Sequence, residues 1–501
     1  MNNVNIETMN AVTSAIGKVV ASEQSRCVIK MQDPPYPDVG TWINCSERLG
    51  ILERYVYESE DSLLGHVRIL KCGTPWAVPI CPGSAAFLYT PHATGLRGHK
   101  AIGGYILSGE DPYPFELELE YLLGPEGAHV NASGISGLAT KTSYLMSLLW
   151  SVMHRAVKDD LPITTFAINL KHQDLMHIHR KAILPPTDAR IYDLLHLPQE
   201  PFPRVRYYAP NGAPGTARPD VSPFGYSIQT GFSAIRHIVC GLPDHARTLE
   251  SLVEALLSAR EQNPGEFGAF LSWKAFWTEP PLVEDGNRPN SWSHFAMPTV
   301  RRFVRHMQHV LEHQNTGVFV NKPISELPTI ADIVATALPG ETIVLDFSTM
   351  TITEQFFCMS ELVRAIYSDV TSPHRRLPQH VMLFVDELNR YGARGTGAHP
   401  IRDLLLEVSE RGRSIGLSLI TAQQFASHVH PRIFGNASTR VVGRLTSDEL
   451  SRPEYKFLSH AHKDWLQYMP KGHLMVHHAP LGQPVKVMFP RPAFCVGEDI
   501  P

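Results

Sequence analysis

One short segment constrains the fold of this chain more than any other. A predicted strand at His129 leads into a loop of small residues, then a Lys-Thr pair at Lys141 and Thr142, then a helix with apolar residues at positions 144, 145, 148, 149 and 152. Such a strand–loop–helix junction directs backbone N–H groups and the positive end of the helix dipole at a bound anion. The segment therefore predicts a phosphate-binding loop within an α/β sheet.

Residue types in this loop suggest separate roles. Lys141 is expected to reach the β- and γ-phosphates of ATP, and the Thr142 hydroxyl to bind Mg²⁺. The loop is one residue longer than the common pattern, and Ile135 and Thr140 stand where glycines are usual. The alternative is an ordinary strand–helix turn with a solvated lysine. The predicted nucleotide-contacting residues are Gly134, Ser136, Gly137, Ala139, Thr140, Lys141, Thr142 and Ser143.

A second motif lies far along the chain. Five apolar residues at 381–385 are followed directly by Asp386 and Glu387. A buried strand of a parallel sheet has such a continuous apolar sequence, and ligands bind at the carboxyl ends of these strands. Asp386 is expected to hold Mg²⁺, and Glu387 to orient and polarise the attacking water. A core strand that ends in a solvated acidic turn is the alternative, and the upstream Lys-Thr loop disfavours it.

Two further predicted strands end in polar residues. Asp346 and Ser348 end one of them, and Gln423 ends the other. An amide beside the γ-phosphate can detect whether that phosphate is present, so Gln423 is a candidate sensor. The alternative for Gln423 is a residue that caps a loop.

The distribution of patterns divides the chain into regions. Short β-rich runs punctuated by turn residues predict a small β-barrel at residues 1–90. From there to residue 480, strands alternate with amphipathic helices, which predicts a parallel α/β sheet, with a helical insertion at about 245–335. Prolines indicate an extended C-terminal tail at 481–501. Apolar residues make up 43% of the chain, which excludes a mainly disordered protein.

Charge limits how the chain can bind nucleic acid. The formal net charge is −4, so any such contact has to come from a local basic surface. The glycine-rich segment after the acidic pair carries Arg390 and Arg394, which are candidate contacts for DNA phosphates. A flexible connector is the alternative for this segment, and a predicted helix with Arg301, Arg302 and Arg305 is the other candidate surface.

Cysteine spacing and hydropathy indicate the cellular compartment in which the protein is expected. The seven cysteines show no Cys-x-x-Cys spacing, so we expect reduced thiols with neither a disulfide framework nor a zinc site. No run of about 18 apolar residues and no apolar signal-peptide stretch occurs. These observations predict a cytoplasmic protein that does not enter a membrane.

Taken in order, the motifs resemble the HerA-like hexameric DNA translocases of the HerA/FtsK branch of P-loop ATPases. The matching stretches span about residues 100–445 and are 134–143, 166–175, 343–348, 384–389, 412–423 and 436–444. The predicted N-terminal barrel is also similar to that of the family. The resemblance implies a RecA-like P-loop ATPase core with an N-terminal small β-barrel and a helical insert.

The same resemblance implies a function and partners. The protein would be an ATP- and Mg²⁺-dependent translocase or helicase that forms a homohexamer on double-stranded DNA. A NurA-like nuclease, or a nuclease-like or NAD-consuming antiviral defence effector, would dock on the barrel. Arginines that act across subunits would fall at Arg440 and Arg444, with Arg411 and Arg413 as competitors.

Two other functions remain open at this point. One is a nucleotide-binding ring scaffold that organises an effector protein with little translocation, favoured by the altered phosphate loop. The other is a secretion or conjugation ATPase of the same superfamily, disfavoured by the lack of an apolar anchor.

Overall fold

The chain forms two compact units. The computed structural model describes residues 17–22, 26–31, 42–45, 48–59, 62–72, 85–88, 96–108, 111–135, 137, 141–171, 173–239, 248–262, 272–278, 297–321, 326–394 and 400–497. One unit is Met1–Ala93 with Thr371–Arg376, and the other is Thr94–Val370 with Leu377–Pro501. The first boundary, at Ala93, lies beside the predicted boundary at residue 90.

The first unit contains a closed β-barrel. Its strands are β1 (Gly17–Ser22), β2 (Arg26–Met31), β3 (Trp42–Cys45), β4 (Arg48–Ser59), β5 (Ser62–Cys72) and β6 (Ala85–Leu88). They close in the order β1-β2-β5-β4-β3-β6, and each neighbouring pair is antiparallel.

The second unit is built on one large sheet. Its strands are β7 (Lys100–Ser108), β8 (Asp111–Glu118), β9 (Val130–Ser133), β10 (Ile163–Asn169), β11 (Val205–Pro210), β12 (Val221–Phe224), β13 (Thr342–Asp346), β14 (His380–Val385), β15 (Leu417–Gln423), β16 (Thr439–Val442), β17 (His473–His478) and β18 (Val485–Met488).

Strand order places the two predicted motifs close together. The twelve strands of the described residues follow the order β12-β11-β13-β10-β14-β15-β9-β16-β17-β18-β7-β8. The strands from β12 to β16 are parallel, and those from β16 to β8 are antiparallel. Strand β9, which leads into the phosphate loop, is separated from the acidic strand β14 by β15 alone. The predicted α/β fold with a parallel sheet is confirmed.

Helices cover both faces of this sheet. They are α1 (Leu119–Leu122), α2 (Lys141–Lys158), α3 (Pro186–Leu194), α4 (Ile228–Gly231), α5 (Arg236–Val239), α6 (Thr248–Gln262), α7 (Trp273–Thr278), α8 (Met297–Gln308), α9 (Ile330–Ala335), α10 (Ile352–Thr371), α11 (Pro400–Ile415), α12 (Pro431–Gly435), α13 (Ser447–Leu450) and α14 (His460–Tyr468). In the parts of the chain that the structure describes, none of these helices is both long and apolar enough to cross a bilayer.

Alternate residues of the central strands belong to different cores. On β14, Leu383 packs in the core that includes α10 and α11, whereas Phe384 packs in the core that includes α2. Every residue of β14 is buried. A strand covered on both faces needs apolar side chains throughout, which explains the continuous apolar sequence.

The structure agrees with the predicted helical insertion but not with the predicted C-terminal tail. Helices α6 to α9 occupy the predicted insertion at 245–335, and Leu252 and Phe303 share a core with Phe357 of α10. The expectation of an extended tail from residue 481 is wrong, because β18 pairs with both β17 and β7 inside the sheet. The prolines that suggested a tail, Pro484 and Pro490, stand just outside β18, where they remove no hydrogen bond of the strand.

Candidate nucleotide site

The candidate site lies at the carboxyl ends of the parallel strands. Strand β14 pairs with β10 on one side and with β15 on the other, and β15 pairs with β9. Residues that follow these strands therefore meet at one edge of the sheet, where α/β proteins bind ligands. The phosphate loop follows β9, Asp386 and Glu387 follow β14, and Lys171 follows β10.

The loop after β9 is attached to its neighbours through the backbone. The Gly134 N–H donates to the carbonyl oxygen of Gln424 (3.0 Å), and the Ile135 N–H donates to that of Arg444 (3.0 Å). Gly137 has a φ of +77°, a conformation that glycine adopts without strain. The predicted loop residues Ser136, Ala139 and Thr140 lie outside the described residues.

Lys141 is the first residue of α2, and only 5% of it is exposed. Burial lowers the pKa of Lys141, while the carboxylates of Asp386 and Glu387 oppose this shift. A lysine with a nearly buried ammonium group needs anionic neighbours to remain charged. The solvated lysine of the alternative interpretation is therefore not what the structure contains. Ser143 follows in the same turn and is half-buried.

Thr142 and Asp386 lie next to each other, as the magnesium hypothesis requires. The Thr142 hydroxyl donates a hydrogen bond to Oδ2 of Asp386 (3.2 Å). Hydroxyl and carboxylate oxygens are the hard ligands that Mg²⁺ prefers, usually with water in the remaining positions. Oδ2 of Asp386 also contacts a cation, the Lys171 ammonium, so the oxygen faces a position that suits positive charge. These residues fit a magnesium ion.

Glu387 has an unusual backbone conformation. Its φ and ψ are 52° and 47°, in the left-handed region that residues with a Cβ seldom adopt. Such a conformation costs about 1–3 kcal/mol and is often found at functional sites. The Glu387 N–H donates to Oδ1 of Asp386 (2.9 Å), so the turn that bends the chain also orients the first acid.

Lys171 contacts both acids, a role that the sequence motifs did not predict. Its ammonium lies 3.3 Å from Oδ2 of Asp386 and 3.1 Å from Oε1 of Glu387. Burial favours the neutral amine, but the two carboxylates outweigh that effect and raise the pKa of Lys171. Lys171 lies in the family-like stretch 166–175, but that resemblance gave it no role. Its place just after a strand becomes informative once β10 is known to be the neighbour of β14.

Gln423 does not lie where a phosphate sensor is expected. Its side chain is fully buried, and its amide Nε2 donates to Oδ1 of Asn131 (2.6 Å). Asn131 returns a hydrogen bond from Nδ2 to Oε1 of Gln423 (3.1 Å). The paired amides satisfy one another between β9 and β15, which removes Gln423 from the loop. The next residue, Gln424, is exposed beside Gly134.

The two arginines predicted to act across subunits are placed differently. The Arg440 guanidinium lies over the rings of Phe434 (5.0 Å) and Phe457 (5.4 Å) and donates to the Gly435 carbonyl (3.0 Å). Burial lowers the pKa of Arg440. Within this chain Arg440 is thus packed against two aromatic rings, and its action across subunits stays a prediction. Arg444 is half-buried beside the loop, with its carbonyl bonded to Ile135.

The two candidate DNA-contacting arginines lie after the acidic pair. Both are exposed. Arg390 reaches Oε1 of Gln355 at 3.4 Å, and Arg394 forms an ion pair with Glu454 at 3.0 Å. The Arg394 N–H also donates to the His428 carbonyl (2.9 Å), so the start of this segment is anchored. Residues 395–399 lie outside the described residues.

Comparisons with known proteins identify similar folds only. No protein-family model matches the sequence, and no curated protein is detectably similar. The bacterial conjugative coupling protein TrwBdeltaN70 superposes with a TM-score of 0.48 at 12% identity, over 80% of this chain and 91% of that chain. VirB4 of Thermoanaerobacter pseudethanolicus gives 0.47 at 13% identity, over 78% and 96%. The packaging NTPase B204 of Sulfolobus turreted icosahedral virus 2, solved with ATP-gammaS, gives 0.24 at 16% identity, over 32% and 73%. Likenesses of this strength do not assign a function, which has to be inferred from the site.

Proposed function

We propose that this protein is a P-loop ATPase. The observation that supports this most directly is the meeting of Lys141, Thr142, Asp386 and Glu387 at one edge of the sheet. They come from two segments separated by more than 200 residues in sequence, yet the Thr142 hydroxyl donates to the Asp386 carboxylate. Burying charged side chains costs free energy, and clusters of buried charges are common at functional sites. A turn with only a structural role would not need two buried acids beside a buried lysine.

Each residue has a defined task in hydrolysis. Lys141 binds the β- and γ-phosphates and neutralises their charge, while N–H groups of the loop cradle them. Thr142 and Asp386 would hold Mg²⁺, which when bound stabilises negative charge on the transferred phosphoryl group. Glu387 accepts a hydrogen bond from the attacking water and orients it.

Substitution of Lys141 tests the proposal. Lys141→Ala should weaken nucleotide binding and lower ATP hydrolysis about 10²-fold or more, because the positive charge that contacts the phosphates is removed. The matched control is Lys158→Ala, which removes an exposed lysine from the other end of the same helix. Fluorescent-nucleotide titration and phosphate release measure the two effects. Hydrolysis at the wild-type rate in Lys141→Ala would contradict the assignment.

The finer proposal is a DNA translocase. We infer a homohexameric ring that moves on double-stranded DNA, with a nuclease (NurA-like) or other defence effector docked on the N-terminal barrel. Support comes from the ordered set of family motifs and from exposed Arg390, just beyond the catalytic acids. Duplex DNA should stimulate hydrolysis, and native mass spectrometry should show about six protomers. A strict monomer in every nucleotide state would count against the ring.

A nucleotide-binding scaffold is the second candidate. One observation favours it: Lys171 neutralises both acids, so the structure holds the hydrolytic residues in an ion-paired state. A scaffold would bind ATP but hydrolyse it slowly, with or without DNA. Steady-state hydrolysis across a series of duplex DNA concentrations separates the two candidates.

A further inference from the structure

Lys171 holds the two acids of the candidate site together. Its single ammonium group bonds to Oδ2 of Asp386 and to Oε1 of Glu387, whose side chains are only 8% and 9% exposed. Two neighbouring carboxylates with so little solvent repel each other, and a cation between them offsets that repulsion. In the structure that cation is Lys171, and 40% of its side chain is exposed. The ion pair therefore has one rigid, buried side and one side that can move.

The position of the Lys171 ammonium matters because Thr142 binds the same carboxylate oxygen. The Thr142 hydroxyl and the Lys171 ammonium both contact Oδ2 of Asp386. The same hydroxyl and carboxylate are the ligands expected for Mg²⁺. Two cations on one carboxylate oxygen repel each other, so the ammonium and a metal ion exclude one another here.

Lys171 also borders a second space. A cleft of about 850 Å³ extends along the ends of the strands away from the phosphate loop, and Lys171 lies in its wall. The carboxylates of Asp174 and Asp346 line the same cleft. A lysine with a flexible four-carbon stem can exchange one set of carboxylates for another by rotation about its side-chain bonds.

We propose that Lys171 is a built-in cation that occupies the acidic pair in the magnesium-free state and withdraws toward the cleft when magnesium-bound nucleotide enters. This inference rests on the proposed ATPase function. Its consequence is that Glu387 can orient water only after Lys171 has left. Lys171 is a positioning residue, because it acts on the nucleotide through Asp386 and Glu387.

The first test uses magnesium without nucleotide. Lys171→Met keeps the length of the side chain but removes the charge, which leaves the two acids unneutralised. We expect a lower Tm than wild type in EDTA, and a rise in Tm with added MgCl₂ that wild type shows only weakly. Lys171→Arg should behave like wild type. Lys100→Met is the matched control, since it breaks an exposed lysine–glutamate pair (Lys100–Glu116, 2.9 Å) elsewhere.

The second test measures how nucleotide binding depends on magnesium. In Lys171→Met, the magnesium concentration that gives half-maximal binding of a fluorescent ATP analogue should fall about tenfold, because no ammonium group then competes with the metal ion for Oδ2 of Asp386. An unchanged magnesium dependence would overturn the proposal. A loss of nucleotide affinity at saturating magnesium would also overturn it, because Lys171 would then bind phosphate.

A measurement on the wild-type chain does not depend on any variant folding. Amine-reactive labelling and mass spectrometry should show Lys141 protected by magnesium and a non-hydrolysable ATP analogue, and Lys171 more reactive than in EDTA. Protection of both lysines would place Lys171 on the nucleotide and overturn the exchange. If neither lysine responds because no nucleotide binds, the proposed function fails, whereas the magnesium-only Tm test still decides the role of Lys171.

Discussion

Strands β14 and β15 lie side by side in the sheet, and both lead to polar side chains at the same edge. All residues of both strands are buried. After β14, Asp386 and Glu387 bind the ammonium of Lys171 at the candidate site. On β15, Gln423 is directed into the sheet and pairs with Asn131. Two buried strands with polar ends therefore lead to opposite outcomes.

The difference follows from where each strand ends. Asp386 is the first residue beyond β14, whereas Gln423 is the last residue within β15. A side chain inside a parallel sheet is covered on both faces and has to find a polar partner on a neighbouring strand. A side chain beyond the sheet is released from that requirement. Of these two polar residues, the one beyond its strand belongs to the site and the one within its strand does not.

The acid after β14 should show the largest effect. Glu387→Gln keeps the shape of the side chain but cannot orient water as a carboxylate, so hydrolysis should fall about 10²-fold or more while magnesium-bound ATP still binds. Single-turnover hydrolysis and nucleotide titration separate the two steps. Glu341→Gln is the control, because it disrupts a partly buried ion pair with Arg206 (2.8 Å) away from the site. Loss of ATP binding in Glu387→Gln would break the assignment of roles.

A histidine that bonds to β15 should make stability depend on pH. His129 is fully buried: its Nδ1 accepts from the Leu419 N–H (2.9 Å), and its Nε2–H donates to the Ser409 carbonyl (3.1 Å). Burial lowers the pKa of His129 to about 4, although the bond to Ser409 opposes the shift. The unfolded chain, with a pKa near 6.5, binds the proton first as the pH falls.

The stabilisation that results from neutral His129 is fully present above about pH 6.5 and disappears as the pH falls toward 4. The free energy of unfolding should decrease by about 3 kcal/mol over this range. Urea unfolding at several pH values should show a steeper decline for wild type than for His129→Asn. Asparagine suits the comparison because it tolerates the positive φ of 70° at this position. Parallel curves for the two proteins would show that His129 does not carry this dependence.

The amide pair of Gln423 and Asn131 should affect stability rather than catalysis. Gln423→Leu leaves Oδ1 of Asn131 without its donor, while Nδ2 of Asn131 keeps its bond to the Thr421 hydroxyl (2.9 Å). The unpaired oxygen should lower the free energy of unfolding by about 1–3 kcal/mol. Replacing Asn131 by Leu as well should recover part of that decrease, since no buried amide then remains unpaired. ATP affinity should stay at the wild-type value in both variants. A weaker affinity without a loss of stability would return Gln423 to the phosphate site.

The arginine beyond the acids should show the smallest effect. Arg390→Ala should weaken the salt dependence of duplex DNA binding. The slope of log K against log salt should become less negative by at most about 0.9 for each DNA phosphate that the arginine no longer neutralises. Arg390 is the cleaner target, because Arg394→Ala also leaves the nearly buried Glu454 carboxylate without its ion pair. Arg301→Ala, on the exposed face of α8, is the control. If only Arg301→Ala changes the slope, the DNA contacts belong to that helix.

Much of the site was predictable because its motifs are local. The Lys141–Thr142 pair is recognisable within one strand–loop–helix segment, and Asp386 and Glu387 follow directly after one apolar run. Lys171 was not predictable in the same way, because its role depends on β10 being next to β14, a pairing between residues more than 200 positions apart. The aromatic surroundings of Arg440 were not predictable for a similar reason, since Phe434 and Phe457 approach it only in the folded chain.

By itself the sequence determined the fold class, the barrel followed by an α/β sheet, and the lysine, threonine and acids of the candidate site. These features depend on the spacing of apolar residues and on the residue types in turns, both of which can be recognised within a few consecutive residues. Only the tertiary structure decided which strands are neighbours and where each strand ends. Those two facts placed Lys171 on the acids, withdrew Gln423 into the sheet and brought β18 into it. Pairing between distant strands is set by burial of whole faces, a property that no short stretch of sequence contains.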